Sequence, residues 1–157
     1  MNLYEVVFED VSATSAIQLV VSLISMSKAV LNVDSTYGMS ELDEQHVNSS
    51  NLQALLSIRG DGCISLRLLD FNTGDVVLPG ILLRCIKYGG QFDVDFSFAI
   101  DEDKSVDVDY LMRHVHCFVQ KIAKVENVEN FYGGMEPASD EETRYFTNQT
   151  IGPLGAR

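Results

Sequence analysis

At 157 residues the chain has the length of one ordinary domain, and its 46% hydrophobic content supplies enough apolar surface for a packed core, which excludes a disordered chain. Against 11 Lys and Arg stand 23 Asp and Glu, a net charge of −12 that argues against direct contact with nucleic-acid phosphates or an anionic membrane surface. The same excess suits steering toward a basic partner.

Residues 3–9 alternate, with Tyr4, Val6 and Phe8 on one side and Glu5 and Glu9 on the other, which predicts a first strand. The opening MNLYEVVFED has neither the basic nor the apolar run of a signal peptide, and no stretch of about 20 apolar residues follows, so the cytoplasm is the expected location. Ser12, Thr14 and Ser15 are candidate helix caps ahead of a segment that is apolar nearly all round (Ala16, Ile17, Leu19, Val20, Val21, Leu23, Ile24). A buried helix fits residues 16–31, although their β-branched content leaves a strand open as the alternative. Residues 34–51 are polar and acidic and read as a long loop, with one helical turn over Ser40–His46.

The middle of the chain reads as a run of strands. Leu52, Ala54, Leu56 and Ile58 alternate with polar positions, RGDG at 59–62 supplies a tight turn, and Ile64, Leu66 and Leu68 alternate again. FNTGD at 71–75 is a second turn before a short Val76–Leu78 segment, and Pro79-Gly80 breaks the chain ahead of ILLRCIKY. After Gly89-Gly90 comes the clearest pattern in the sequence: Phe92, Val94, Phe96, Phe98 and Ile100 alternate with Asp93, Asp95, Ser97 and Ala99. Past an acidic turn the period changes to helical, with Val108, Leu111, Met112, Val115, Val119 and Ile122 on one stripe ending near Lys124. Residues 126–157 read as an irregular tail packed on the body, with Gly133-Gly134 and Pro137 as breakers and a capping pattern that predicts a short helix at Asp140–Phe146. The expectation is a single α+β domain over 1–157: an antiparallel meander sheet of about four to six strands packed against an N-terminal and a C-terminal helix.

Reactive side chains do not assemble into a catalytic or metal motif. His114, His116 and Cys117 share one helix, but 114 and 116 point to nearly opposite sides and there is no CxxC or HExxH. Cys117 lies close to the apolar stripe, where a buried thiol would be inert. The three cysteines, Cys63, Cys85 and Cys117, fit reduced core thiols in apolar segments. Asp93, Asp95, Asp101, Glu102, Asp103, Asp107 and Asp109 form a carboxylate-rich stretch without the glycine of a calcium-binding loop. Asp93 and Asp95 are expected on a wet face, where pKa shifts are small, so a solvated or protein-binding surface is the reading. No phosphate-cradling glycine loop occurs, and the sequence points to no cofactor.

The stretch FYGGMEPASDEETRYFTNQTIGPL, residues 131–154, resembles the C-terminal segment of immunity proteins encoded beside bacterial polymorphic toxins, including those of contact-dependent growth inhibition systems. The resemblance rests on the GG-x-EP-x-x-DEETR-x-F pattern and implies a cytoplasmic, non-enzymatic domain that binds a cognate toxin domain. Many such toxins are nucleases with basic clefts, which agrees with the independent reading of the charge. The contact surfaces expected are the acidic loop at Glu41, Asp43 and Glu44 and the acidic strand and turn at Asp93, Asp95, Asp101, Glu102 and Asp103. The rival readings are a small enzyme using a Cys117/His dyad or a carboxylate pair, and an adaptor whose exposed patches are apolar.

Overall fold

A computed structural model describes residues 1–38, 42–101 and 104–155. Seven strands form one antiparallel sheet: β1 (Asn2–Val11), β2 (Ala29–Ser35), β3 (Gly62–Asn72), β4 (Val77–Tyr88), β5 (Gln91–Ile100), β6 (Asn130–Met135) and β7 (Arg144–Thr147). Their order across the sheet is β2-β3-β4-β5-β1-β6-β7. A meander runs from β2 to β5, each strand pairing with the next, with β3, β4 and β5 where strands are expected and β2 in place of the one expected over 52–58. The sheet is wider than the four to six strands read from the sequence, because β1 pairs with β5 on one side and with β6 on the other. Among the described residues three α-helices accompany it: α1 (Ala13–Ser25), α2 (Ser49–Leu56) and α3 (Val108–Val125).

The ambiguity over residues 16–31 resolves into both alternatives in succession. Ser12 Oγ accepts the Ser15 N–H at 3.1 Å and starts α1, which buries Ala16, Ile17, Leu19, Val20 and Leu23. Lys28 N–H then donates to Leu69 O at 2.8 Å and docks the chain on β3, so that Ala29–Ser35 continues as an edge strand.

Three local expectations are overturned. The segment 52–58, expected as a strand, is helix α2. Leu52 and Leu56 are buried on one helical face while Ala54 and Ile58 are exposed, and a four-residue separation satisfies both periods. The deciding signal is Asn48, whose Oδ1 caps the helix by accepting the Asn51 N–H at 2.9 Å. The RGDG turn therefore joins a helix to β3. Pro79-Gly80 does not break the chain, because β4 runs through it. The pairs Leu69–Gly80 and Phe71–Leu78 keep one register on either side of Asp70, whose φ is 49°, and Pro79 falls opposite it where no ladder pair forms, so its missing N–H interrupts nothing.

The third correction concerns the stretch after α3. In place of an irregular tail with a helix at 140–146, it contributes β6, a single 3-10 turn at Glu141–Thr143, and β7. Gly133 and Gly134 are strand residues here. A Cβ on Gly133 would lie 2.4 Å from the Phe146 ring, and one on Gly134 would lie 2.2 Å from Thr143 O. The glycine pair is what lets β7 and its aromatic side chain close onto β6.

Strand alternation divides the sheet into two faces. Tyr4, Val6, Phe8, Val94, Phe96, Phe98, Ile64, Leu66, Leu68 and Leu83 are buried together with the apolar stripes of the helices. Phe71 packs on Phe96 and, edge to face, on Phe118 of α3, with ring centroids 5.6 Å apart in both pairs. Each such fully buried side chain contributes roughly 2–3 kcal/mol of apolar transfer. The opposite face, with Leu3, Arg67, Leu82, Arg84, Asp93, Ser97 and Ala99, carries none of the described helices.

Candidate functional site

The bare face gathers the polar chemistry of the molecule because positions that alternate away from the helices align across neighbouring strands. One rung crosses the sheet as Asp34, Ser65, Arg84, Asp95, Val7 and Tyr132. Within it, Arg84 Nε and Nη2 donate to Asp95 Oδ1 and Oδ2, each at 2.8 Å, a two-pronged pairing of planar groups. Asp95 is 4% exposed, so it does not project from a solvated face as its alternation suggested. Burial raises the Asp95 carboxyl and the Arg84 hydrogen bonds pull it back down. Arg84 itself is held protonated by the same hydrogen bonds.

The next rung places Glu5 between Ser97 and Gly134. Its Oε1 accepts the Ala138 N–H at 2.7 Å, which pins the segment after β6 onto the bare face. Burial raises the Glu5 carboxyl above its ordinary value, the Ala138 hydrogen bond opposes this, and Glu136 and Asp95 add repulsion. Arg144 completes the clasp by donating from Nε to Ala138 O at 2.9 Å and from Nη2 to Ser139 O at 3.1 Å. Its guanidinium lies 4.7 Å from the centre of the Tyr132 ring. Burial, then Glu9 and Glu5, push the Tyr132 hydroxyl up to about 12.

Toward the end of the sheet where β1 finishes and β5 begins, carboxylates crowd. Asp93 Oδ1 accepts the Asp10 N–H at 3.0 Å, and both Asp93 oxygens lie 3.2 Å from the Tyr88 hydroxyl that donates to them. Asp10 has φ 50° at a bulge between Phe8 and Val11, so the Asp93 carboxylate steadies that irregularity. Partial burial and the neighbouring Asp93 and Asp10 raise the Glu9 carboxyl.

The residues singled out from sequence do not form one patch. Asp93 and Asp95 belong to the bare face. Asp101 lies at the other end of β5, eight residues from Asp93 and therefore about 26 Å away along a strand. It pairs with Lys104 at 4.0 Å. Asp43 and Glu44 are exposed in the loop after β2, where Asp43 Oδ1 accepts the Gln45 N–H at 2.9 Å and meets His46 Nδ1 at 2.6 Å. Those contacts hold the Asp43 carboxyl below its ordinary value, the Gln45 N–H foremost. Glu41, Glu102 and Asp103 lie outside the described residues.

The α3 side chains diverge. His116 stacks flat on Phe146, with centroids 4.3 Å apart and planes 5° from parallel, and burial lowers its pKa. His114 faces Asp75 at 3.5 Å. Cys117 is exposed, not sheltered by the apolar stripe, because the stripe turns through Phe118 and Val119 instead. Of the three cysteines, Cys85 alone is buried, and burial pushes its thiol up to about 12. Among the described residues no group of three or more His, Cys, Asp or Glu could hold a metal ion. Nor is any described helix long and apolar enough to cross a membrane.

Sequence reasoning missed Arg84, Glu5 and Arg144. Arg84 carried a readable signal: it interrupts an apolar strand at a position that alternates with Leu83 and Cys85, as Asp95 interrupts the next strand. The clasp through Ala138 has no such local signature.

A family model described as PABL017 Cdi1I immunity protein matches residues 2–151. No curated protein sequence matches the chain. A chain in the 1.75 Å crystal structure of the toxic C-terminal tip of CdiA from Pseudomonas aeruginosa in complex with immune protein is 32% identical to this one. The match covers 98% of both chains with a TM-score of 0.81.

Proposed function

The chain belongs to the PABL017 Cdi1I immunity protein family, and from that membership we propose that it binds and neutralises the C-terminal domain of a cognate CdiA-type toxin. The observation that carries this reading is the end-to-end similarity to a chain solved in a toxin–immunity complex. The geometry supports a binding role over a catalytic one. Arg84 and Asp95 on the bare face are tied to one another, and His114, His116 and Cys117 point apart on α3.

The mechanism we propose is occlusion of a basic active-site cleft, as a nuclease domain presents, by the acidic surface of this protein in the cytoplasm. Glu9, Asp10 and Asp93 repel one another, so a cationic side chain arriving from the toxin relieves that repulsion. Asp43 and Glu44 add long-range attraction from an exposed loop, where their effect is on encounter and not on stability. Asp95, held by Arg84, shapes the surface instead of contacting the toxin.

Stopped-flow association with the purified toxin domain tests this. Replacing Glu9 and Asp10 by Lys, and separately Asp43 and Glu44 by Lys, should each slow association about tenfold at low salt and flatten its salt dependence. Unchanged rates and unchanged protection of cells with both pairs reversed would rule out an electrostatic interface on these surfaces.

A further inference from the structure

The half of the bare face away from the carboxylate cluster holds a trough of about 400 Å³. Its floor is low because Gly80, Ser97 and Ala99 at its middle are small. Gly80 faces Leu69 across β3, Ala99 faces Leu3 across β1, and Leu82 and Ser97 form the rung beside them. Leu3 and Leu31 stand at its margins, 49% and 56% exposed, and both rank among the large apolar side chains the fold leaves in water.

Its two ends carry opposite charge. Arg67 of β3 closes one end and makes no side-chain hydrogen bond or ion pair among the described residues. Glu136, just past β6, closes the other, where it repels Glu5. Four strand spacings separate β3 from β6, which puts the ends about 19 Å apart. An apolar floor within a charged rim is the anatomy of an interface core.

We infer that this trough is the anchoring site for the toxin domain, and that it receives an apolar side chain flanked by an acidic group facing Arg67 and a basic group facing Glu136. The inference rests on the immunity reading and divides the labour of binding on one face. The carboxylate end governs how fast the partners meet, and the trough governs how long they stay together. The opposite charges at its ends select a toxin segment of one polarity, which a uniformly acidic surface could not do.

Filling the trough tests the assignment without disturbing the core. A Cβ on Gly80 would meet nothing nearer than Leu68 O at 3.8 Å, and Ala99 is already exposed. Gly80→Tyr and Ala99→Arg should therefore fold with the wild-type melting temperature. Each should dissociate from the purified cognate toxin domain about 100-fold faster, with association changed less than about threefold. Arg67→Glu should weaken binding about tenfold through the same rate. If both filled variants hold the toxin within threefold of wild type while wild type protects cells, the anchoring role is wrong and the immunity reading stands. If they instead lose only self-association, the trough is a contact between copies of this chain and the inference is overturned. Failure of the wild type itself to bind or protect against its toxin would remove the immunity reading and this inference together.

Discussion

Along β5, Phe92, Val94, Phe96, Phe98 and Ile100 face the helices, while Asp93, Asp95, Ser97 and Ala99 face the other way, so one strand serves two surfaces with different rules. On the covered side the side chains are held by area and shape. On the bare side Asp95 is buried nearly as deeply as Phe98, yet its place depends on two directed hydrogen bonds from Arg84. Burial alone therefore does not say how a position tolerates change: a core phenylalanine loses contacts in proportion to what is removed, whereas a buried carboxylate loses its reason for being there when its partner goes.

The largest effect should come from the covered side. Phe96 is fully buried against Phe8, Phe71 and Phe98. Phe96→Ala should lower unfolding free energy in denaturant titrations by about 3–5 kcal/mol. A loss under about 1 kcal/mol would mean that the aromatic cluster does not form the centre of the core.

The pair on the bare side should come next. Arg84→Met leaves the Asp95 carboxylate without its partner and should destabilise by about 2 kcal/mol, less than for a wholly buried pair because Arg84 is 37% exposed. Replacing both, as Arg84→Met with Asp95→Leu, should restore most of that loss, since an apolar pair has no unpaired charge to shelter. The comparison of the two faces breaks if the double variant is as unstable as the single one.

That contrast also explains what could be read in advance. The strands whose apolar side faces helices, β1, β3 and β5, were legible because a period of two has one physical cause there. Segment 52–58 was misread because Leu52 and Leu56 fit a helix and a strand equally well, and the Asn48 cap that separates them lies outside the apolar pattern. The width of the sheet was underestimated because β6 and β7 approach through Gly133 and Gly134, residues that read as breakers until Phe146 and Thr143 O are seen to need their space. Of the candidate surface, the carboxylates were visible in the sequence. The trough was not, because Gly80, Ala99 and Leu3 are brought side by side by register between distant strands.

The smallest effect should be a change in pH dependence at Glu5. Burial raises its carboxyl, so the folded chain holds that proton more tightly than the unfolded chain does. The resulting contribution to stability is fully present below the carboxyl's ordinary value, at roughly pH 4, and is lost as pH rises through the raised value. Glu5→Gln keeps an oxygen for the Ala138 N–H and removes the titration. Urea unfolding of both proteins across this range should show the variant gaining on wild type as pH rises, up to a plateau above the raised value. Asp95 titrates in both proteins, so its own contribution largely cancels and what is left in the difference is Glu5 together with its repulsion by Asp95. Glu5→Leu separates charge from hydrogen bonding: it too removes the titration but orphans the Ala138 N–H, and should sit about 1–2 kcal/mol below Glu5→Gln at every pH. A wild-type-to-Gln difference that stays constant with pH would mean that the clasp leaves the Glu5 carboxylate as well solvated as in the unfolded chain, and the bare face would then owe nothing to burial at that position.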